Sequence, residues 1–245
     1  MGKITLKYYL DRRLKSKQAS KDEVFLKAAD GYYYPLYVQV ICKRQNTKFR
    51  SFIKPPRKST DFGVYEIGRD LGDTDNKKLR GLIEQEKKSI RTVVLLLRPF
   101  ENEKFSLAGF SSVYKRSVVE MSFLVSNHCK QALKKVMAGS KFKAMTEIID
   151  WQLTYVVIKS GLNGMLRFIA RRNKQKFLNQ VEEIDKIFTA FGDYAGKKTI
   201  TLSQWIAEDH GQKIKNFLIR HKYREYDKIS AGIQAVVHQH NLDFK

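Results

Sequence analysis

Lys7, Lys43, Arg44, Lys48 and Arg50 are the residues of this chain whose type and spacing carry the clearest chemistry. In extended chain, side chains two positions apart point to the same side. Lys48 and Arg50 therefore share a face, Lys7 stands on the outward face of its own segment, and Lys43 and Arg44 sit where two segments meet. Tyr9 and Tyr37 interleave with them, and Arg12, Arg13 and Lys54 lie at the margins. Ammonium and guanidinium groups spread over one sheet surface are suited to phosphate oxygens and, in a groove, to base edges. A solvated face opposite a small core would show the same alternation; the scarcity of acids favours binding. Residues 1–60 hold 15 Lys and Arg against 4 Asp and Glu, which is 11 of the net charge of +22. Such a density repels itself unless a polyanion relieves it. Nucleic acid is the leading partner, ahead of an anionic membrane surface or an acidic protein. A second cluster, Arg171, Arg172, Lys174 and Lys176, reads as a solvated helix junction or a further phosphate contact.

Other chemistry finds little support. Cys42 and Cys129 make neither a disulfide framework nor a four-ligand zinc site, and they fit a reducing compartment. His238-Gln-His240 lacks a third ligand. The pairs Glu84/Glu86 and Glu182-Glu183 lie in lysine-rich helical segments, where no raised carboxyl pKa is expected, so acid–base catalysis has no candidate. No glycine-rich phosphate loop occurs, and no cofactor is implied.

These side chains need elements to position them. Ile4–Leu10 places Ile4, Leu6, Tyr8 and Leu10 on one face, and Leu36–Cys42 repeats the pattern with Leu36, Val38, Val40 and Cys42. A short turn over 43–46 leads into Thr47–Ile53, and Pro55-Pro56 ends the sheet. The expected product is a three-stranded antiparallel sheet with a basic hairpin. Residues 63–72 read as irregular. Thr74 or Asp75 then caps a long helix, where Leu79, Leu82, Ile83, Ile90, Val93, Val94 and Leu97 form a stripe while Arg80, Glu84, Lys87, Lys88 and Arg91 face away. That helix stops before Pro99, and Ser106 caps a short one through Tyr114. Beyond 116 the spacing predicts helices over 118–137, 142–159, 177–191, 205–209, 214–221 and 226–239, with Thr201 or Ser203 as a cap and Gly139, Gly161, Gly164, Gly192 and Gly196 as punctuation.

The fold class expected is α+β: a small sheet packed on a long helix, followed by an all-helical domain. The boundaries are 1–60 for the sheet module, 61–115 for the linker helix region and 116–245 for the helical domain, which is suited to contacts with other protein subunits. Apolar residues make up 42% of the chain, enough for a core despite the charge. The longest apolar run, Val93–Leu97, is too short to span a bilayer and Lys and Arg follow the N-terminus directly, so no membrane partner is expected and a cytoplasmic location is.

Three stretches, Ile4-Thr-Leu-Lys-Tyr-Tyr-Leu10, Asp30-Gly-Tyr-Tyr-Tyr-Pro-Leu-Tyr-Val-Gln-Val40 and Asn46-Thr-Lys-Phe-Arg-Ser51, resemble the arm-type DNA-binding domain that opens the tyrosine recombinases, or integrases, of phages and mobile elements. The likeness runs on through the long helix and Lys104-Phe-Ser-Leu-Ala-Gly-Phe110, covering about residues 3–115. It implies double-stranded DNA as partner, read through Lys43, Arg44, Lys48 and Arg50. The family's catalytic domain is not matched: His221-Lys-Tyr-Arg224 fits a His-x-x-Arg motif, but the only later tyrosine, Tyr226, is two residues on. The expectation is a non-catalytic, integrase-like accessory or regulatory protein. A virion protein contacting the packaged genome is the alternative, and an RNA or ribosome binder a third.

Overall fold

A computed structural model of the chain describes residues 3–18, 25–53, 64–67, 69–72, 74–101, 105–139, 143, 145–150, 152–166 and 171–240, with the backbone alone at 145, 148, 165, 166 and 171–173. The chain divides into two compact units, with the boundary between Val118 and Val119. The fold is α+β: strands occur in the first unit and, among the described residues, the second is helical apart from an isolated bridge between Glu120 and Thr201.

The first unit is built on a five-stranded sheet: β1 (Thr5–Leu10), β2 (Phe25–Ala28), β3 (Tyr33–Cys42), β4 (Gln45–Arg50) and β5 (Val64–Tyr65). The long strand β3 pairs antiparallel with β1, β2 and β4, and β5 runs parallel to β2. The sheet is therefore mixed, not the purely antiparallel three-stranded one expected. β2 lies in the stretch between the first two expected strands, where none was expected, and β5 in the segment read as irregular. Both are short and take their order from a neighbour's ladder, which leaves little periodic signal.

Period-two alternation decides the faces. Leu6, Tyr8, Leu10, Leu36, Val38, Val40 and Cys42 are buried on one side. Against them packs α1 (Lys77–Leu96) through Leu79, Ile83, Ile90, Val93 and Val94, the apolar stripe expected. α2 (Phe110–Ser117) closes the end, with the Phe110 and Tyr114 rings packed at a tilt against Phe49 at ring distances of 5.9 and 5.6 Å. The N-cap of α1 is Asn76, whose Oδ1 accepts from the Leu79 amide at 3.0 Å, in place of Thr74 or Asp75. Ser106 accepts from the Ala108 amide in a turn, and Gly109, at φ 71°, is the residue that enters α2. The outer edge of β1 is covered rather than left open for pairing: the Tyr8 amide donates to Asp70 Oδ1 and its carbonyl accepts from the Leu71 amide.

Two charged residues of α1 lie where the stripe did not place them. Lys87 does not face away; it is buried and donates to the Gly72 carbonyl at 2.9 Å and to Glu84 at 2.6 Å. Glu86 is buried against the sheet, accepting from the Ser51 hydroxyl and the Phe52 amide, each at 2.6 Å. Burial pushes its carboxyl above the ordinary range, the reverse of the expectation for this helix, and the buried Tyr8 and Tyr114 phenols nearby are raised too. A raised carboxyl contributes stability that is present below its unfolded pKa and lost as pH rises through its folded value. Glu86→Gln keeps both hydrogen bonds, since the amide oxygen faces Phe52 and the amide nitrogen faces the Ser51 hydroxyl. The variant is expected to gain stability over wild type as pH rises from about 4.3 towards neutral, in urea unfolding followed by circular dichroism. A difference that shrinks with rising pH would show that Glu86 is charged without penalty.

The second unit packs α3 (Met121–Ala138) along α6 (Arg171–Ala195), with α9 (Tyr226–Gln239) against both and α8 (His210–Arg220) bridging α6 and α9. α4 (Met145–Ile148) and α5 (Tyr155–Leu166) replace the single helix expected over 142–159. Gly161, Gly164 and Gly192 lie within helices instead of ending them, whereas Gly139 caps α3 and Gly196, at φ 55°, follows α6. α7 (Leu202–Ala207) starts at a capping box formed by Thr201 and Gln204, so Thr201 is the cap.

Candidate nucleic-acid interface

Register assembles the outer face of the sheet row by row. Lys7 faces Gln39, which faces Lys48; Tyr9 faces Tyr37, which faces Arg50; Thr5 faces Ile41, which faces Asn46. Five predicted residues (Lys7, Tyr9, Tyr37, Lys48 and Arg50) thus share one surface, opposite the buried face. None of the three strands that form it contains an acidic residue. The Tyr9 and Tyr37 rings lie 6.2 Å apart, and Lys48 Nζ stands 5.8 Å from the Tyr9 ring centre, so the aromatic pair fixes part of the cationic surface.

Lys43 and Arg44 form the two-residue tip of the β3–β4 hairpin, with φ of 47° and 62°. Positive φ at both central positions matches the right-handed twist of the flanking strands. The base of the hairpin is clamped: Gln45 donates through Nε2 to the Phe105 carbonyl at 2.9 Å and accepts at Oε1 from the Leu107 amide at 2.8 Å. The cations at the tip are held on a rigid mount.

The margins are less simple. Arg13 is exposed but grips Asp11 with two nitrogens, at 3.1 and 2.8 Å, and this pairing holds the Asp11 carboxyl below its usual range. Arg12 reaches the Ile67 carbonyl at 3.4 Å. Lys54 lies outside the described residues, as do Pro55 and Pro56. Arg171 and Arg172 open α6 in the other unit, their side chains outside the described residues.

On the central strand of this face, a scan for charge passes over Gln39 and Ile41. Both are partly exposed on the central strand, and their signal is positional: they alternate with Val38 and Val40, which are fully buried. In the second unit, His221 ends α8, packed on Phe217 at 4.3 Å, while Tyr226 opens α9 with Lys215 over its ring. Among the described residues no three His, Cys, Asp or Glu side chains group as metal ligands, and no helix is long and apolar enough to cross a membrane. Comparison with models of protein families, with curated proteins and with solved structures finds no match to this chain.

Proposed function

We propose that the outer face of the sheet and the β3–β4 hairpin bind duplex DNA, and that the protein serves as a non-catalytic accessory or regulatory factor of an integrase-like kind. The observation that carries this reading is the alignment of Lys7, Lys48 and Arg50 around a central strand, on three strands that contain no acidic residue, with Lys43 and Arg44 projecting from the end and Asp11 at the margin held by Arg13. A sheet of this width suits the major groove, whose walls are phosphate and whose floor is base edge. The order of strands followed by a covering helix, which resembles the arm-type domain, supports the same reading. The second unit, a helical bundle, is free to make protein contacts.

The test is fluorescence anisotropy of the full chain against labelled duplex, with single-stranded DNA and RNA as competitors, over a salt series. Duplex binding with a steep negative slope of log affinity against log salt is expected, because each neutralised phosphate releases counterions. Preference for single strands or RNA, or affinity that ignores salt, would overturn it.

A further inference from the structure

We propose that Gln39 and Ile41 are the base-reading residues of this face, Gln39 taking adenine and Ile41 the 5-methyl group of a thymine within two base steps of it. The inference rests on the duplex-binding reading and gives it a sequence preference.

Adjacent strands lie about 4.8 Å apart, so β1 and β4, on either side of β3, are separated by roughly 9.5 Å. The major groove is about 12 Å wide. With β3 centred over the groove floor, Lys7 and Lys48 stand on either side of Gln39 in one row, and their long stems carry the ammonium groups to opposite walls. Side chains of the central strand meet the bases.

On that strand, the outward residues over the groove are Tyr37, Gln39 and Ile41. Tyr37 is engaged with Tyr9. Gln39 is half-buried between the two lysines, and among the described residues its carboxamide has no partner. A planar amide offers one acceptor beside a donor pair, which matches the N6 donor and N7 acceptor of adenine. Guanine presents two acceptors and leaves the amide oxygen opposed, while cytosine presents a donor alone. Ile41 offers no hydrogen bond; the apolar feature of the groove is the thymine methyl. Residues two apart on a strand are about 6.8 Å apart, against a rise of about 3.4 Å per base pair, which sets the two-step limit.

The identity of residue 39 also argues for a partner. Cross-strand pairs of opposite charge stabilise a sheet, and position 39 faces a lysine on each side. Folding alone would favour Glu there, joined to both. A neutral amide keeps the row cationic and keeps a donor available.

The experiment selects bound sequences from a randomised duplex library with the full chain, then measures affinities on the selected site and on an unrelated duplex at one salt concentration. The selected site is expected to hold an adenine with a thymine within two steps. Gln39→Ala should weaken that site by about ten- to a hundredfold and leave the unrelated duplex and the salt slope unchanged. Gln39→Glu, which gains two cross-strand ion pairs and so folds at least as well, should lose the adenine preference and shift it towards cytosine. Replacing the thymine by deoxyuridine removes only the methyl group; it should weaken wild type several-fold and have no effect on Ile41→Ala. A preference that survives Gln39→Ala, or a selected site without adenine, overturns the inference while duplex binding stands. If wild type binds no duplex at all, the reading of the whole face fails, and the inference fails with it.

Discussion

Replacing Lys48 and Arg50 together by alanine is expected to lower affinity for duplex DNA about thirtyfold at roughly 0.15 M salt, and to reduce the slope of log affinity against log salt by about two. Each phosphate contact adds about 0.9 to that slope, which at this salt is worth about fivefold in affinity. Both residues lie on β4, facing Gln39 and Tyr37 on the central strand, so their loss removes one wall of the proposed groove contact. The sheet itself should survive, because the inward-facing Phe49 carries the packing of this strand. Lys174→Ala with Lys176→Ala is the matched control, removing two cations from α6 in the other unit. It should change affinity less than the β4 pair. Equal losses, read by anisotropy over a salt series, would mean that binding follows net charge and that no face is privileged.

The face was legible because its signal is local and periodic. Leu6, Tyr8 and Leu10, with Val38, Val40 and Cys42, alternate with residues that are polar at every position but Ile41, over enough positions to fix which side each cation takes. The stripe on α1 was legible for the same reason at helical period, and it covers the sheet as expected. What escaped depends on partners distant in sequence. β2 and β5 are ordered by ladders to β3 and to each other. Lys87 read as a residue facing away and Glu86 as a carboxyl without a raised pKa because their hydrogen-bond partners, the Gly72 carbonyl for Lys87 and the Ser51 hydroxyl and Phe52 amide for Glu86, lie 15 or more residues away. Gln39 escaped for a different reason: it carries no charge, and only the cross-strand register shows that it lies between two lysines. The helix expected over 142–159 failed because helical spacing of apolar residues does not reveal that the backbone breaks between α4 and α5.

The hairpin tip offers the sharpest separation of binding from stability. Two-residue turns with positive φ at both positions favour Asn-Gly, since a side chain in the left-handed region strains the backbone by about 1–2 kcal/mol per residue. This chain places Lys43 and Arg44 there, at φ 47° and 62°. Sequences break a local rule of this kind where a function compensates, and here two cations are held at the apex of the proposed interface. Lys43→Asn with Arg44→Gly should therefore stabilise the first unit. Relief of strain outweighs the extra freedom that Gly gives the unfolded chain, about 0.5–1 kcal/mol, leaving a net gain of about 1 kcal/mol. Slower amide exchange in the β3–β4 ladder and a higher urea midpoint by circular dichroism would register it. The same variant should bind duplex about thirtyfold more weakly at roughly 0.15 M salt, by the loss of two phosphate contacts. Lys43→Ala with Arg44→Ala separates the two effects, because alanine removes the charges and keeps the strain. It should lose the same affinity with no gain in stability. If the Asn-Gly variant is more stable yet binds as tightly as wild type, the tip does not contact the nucleic acid and the interface must be confined to the sheet face.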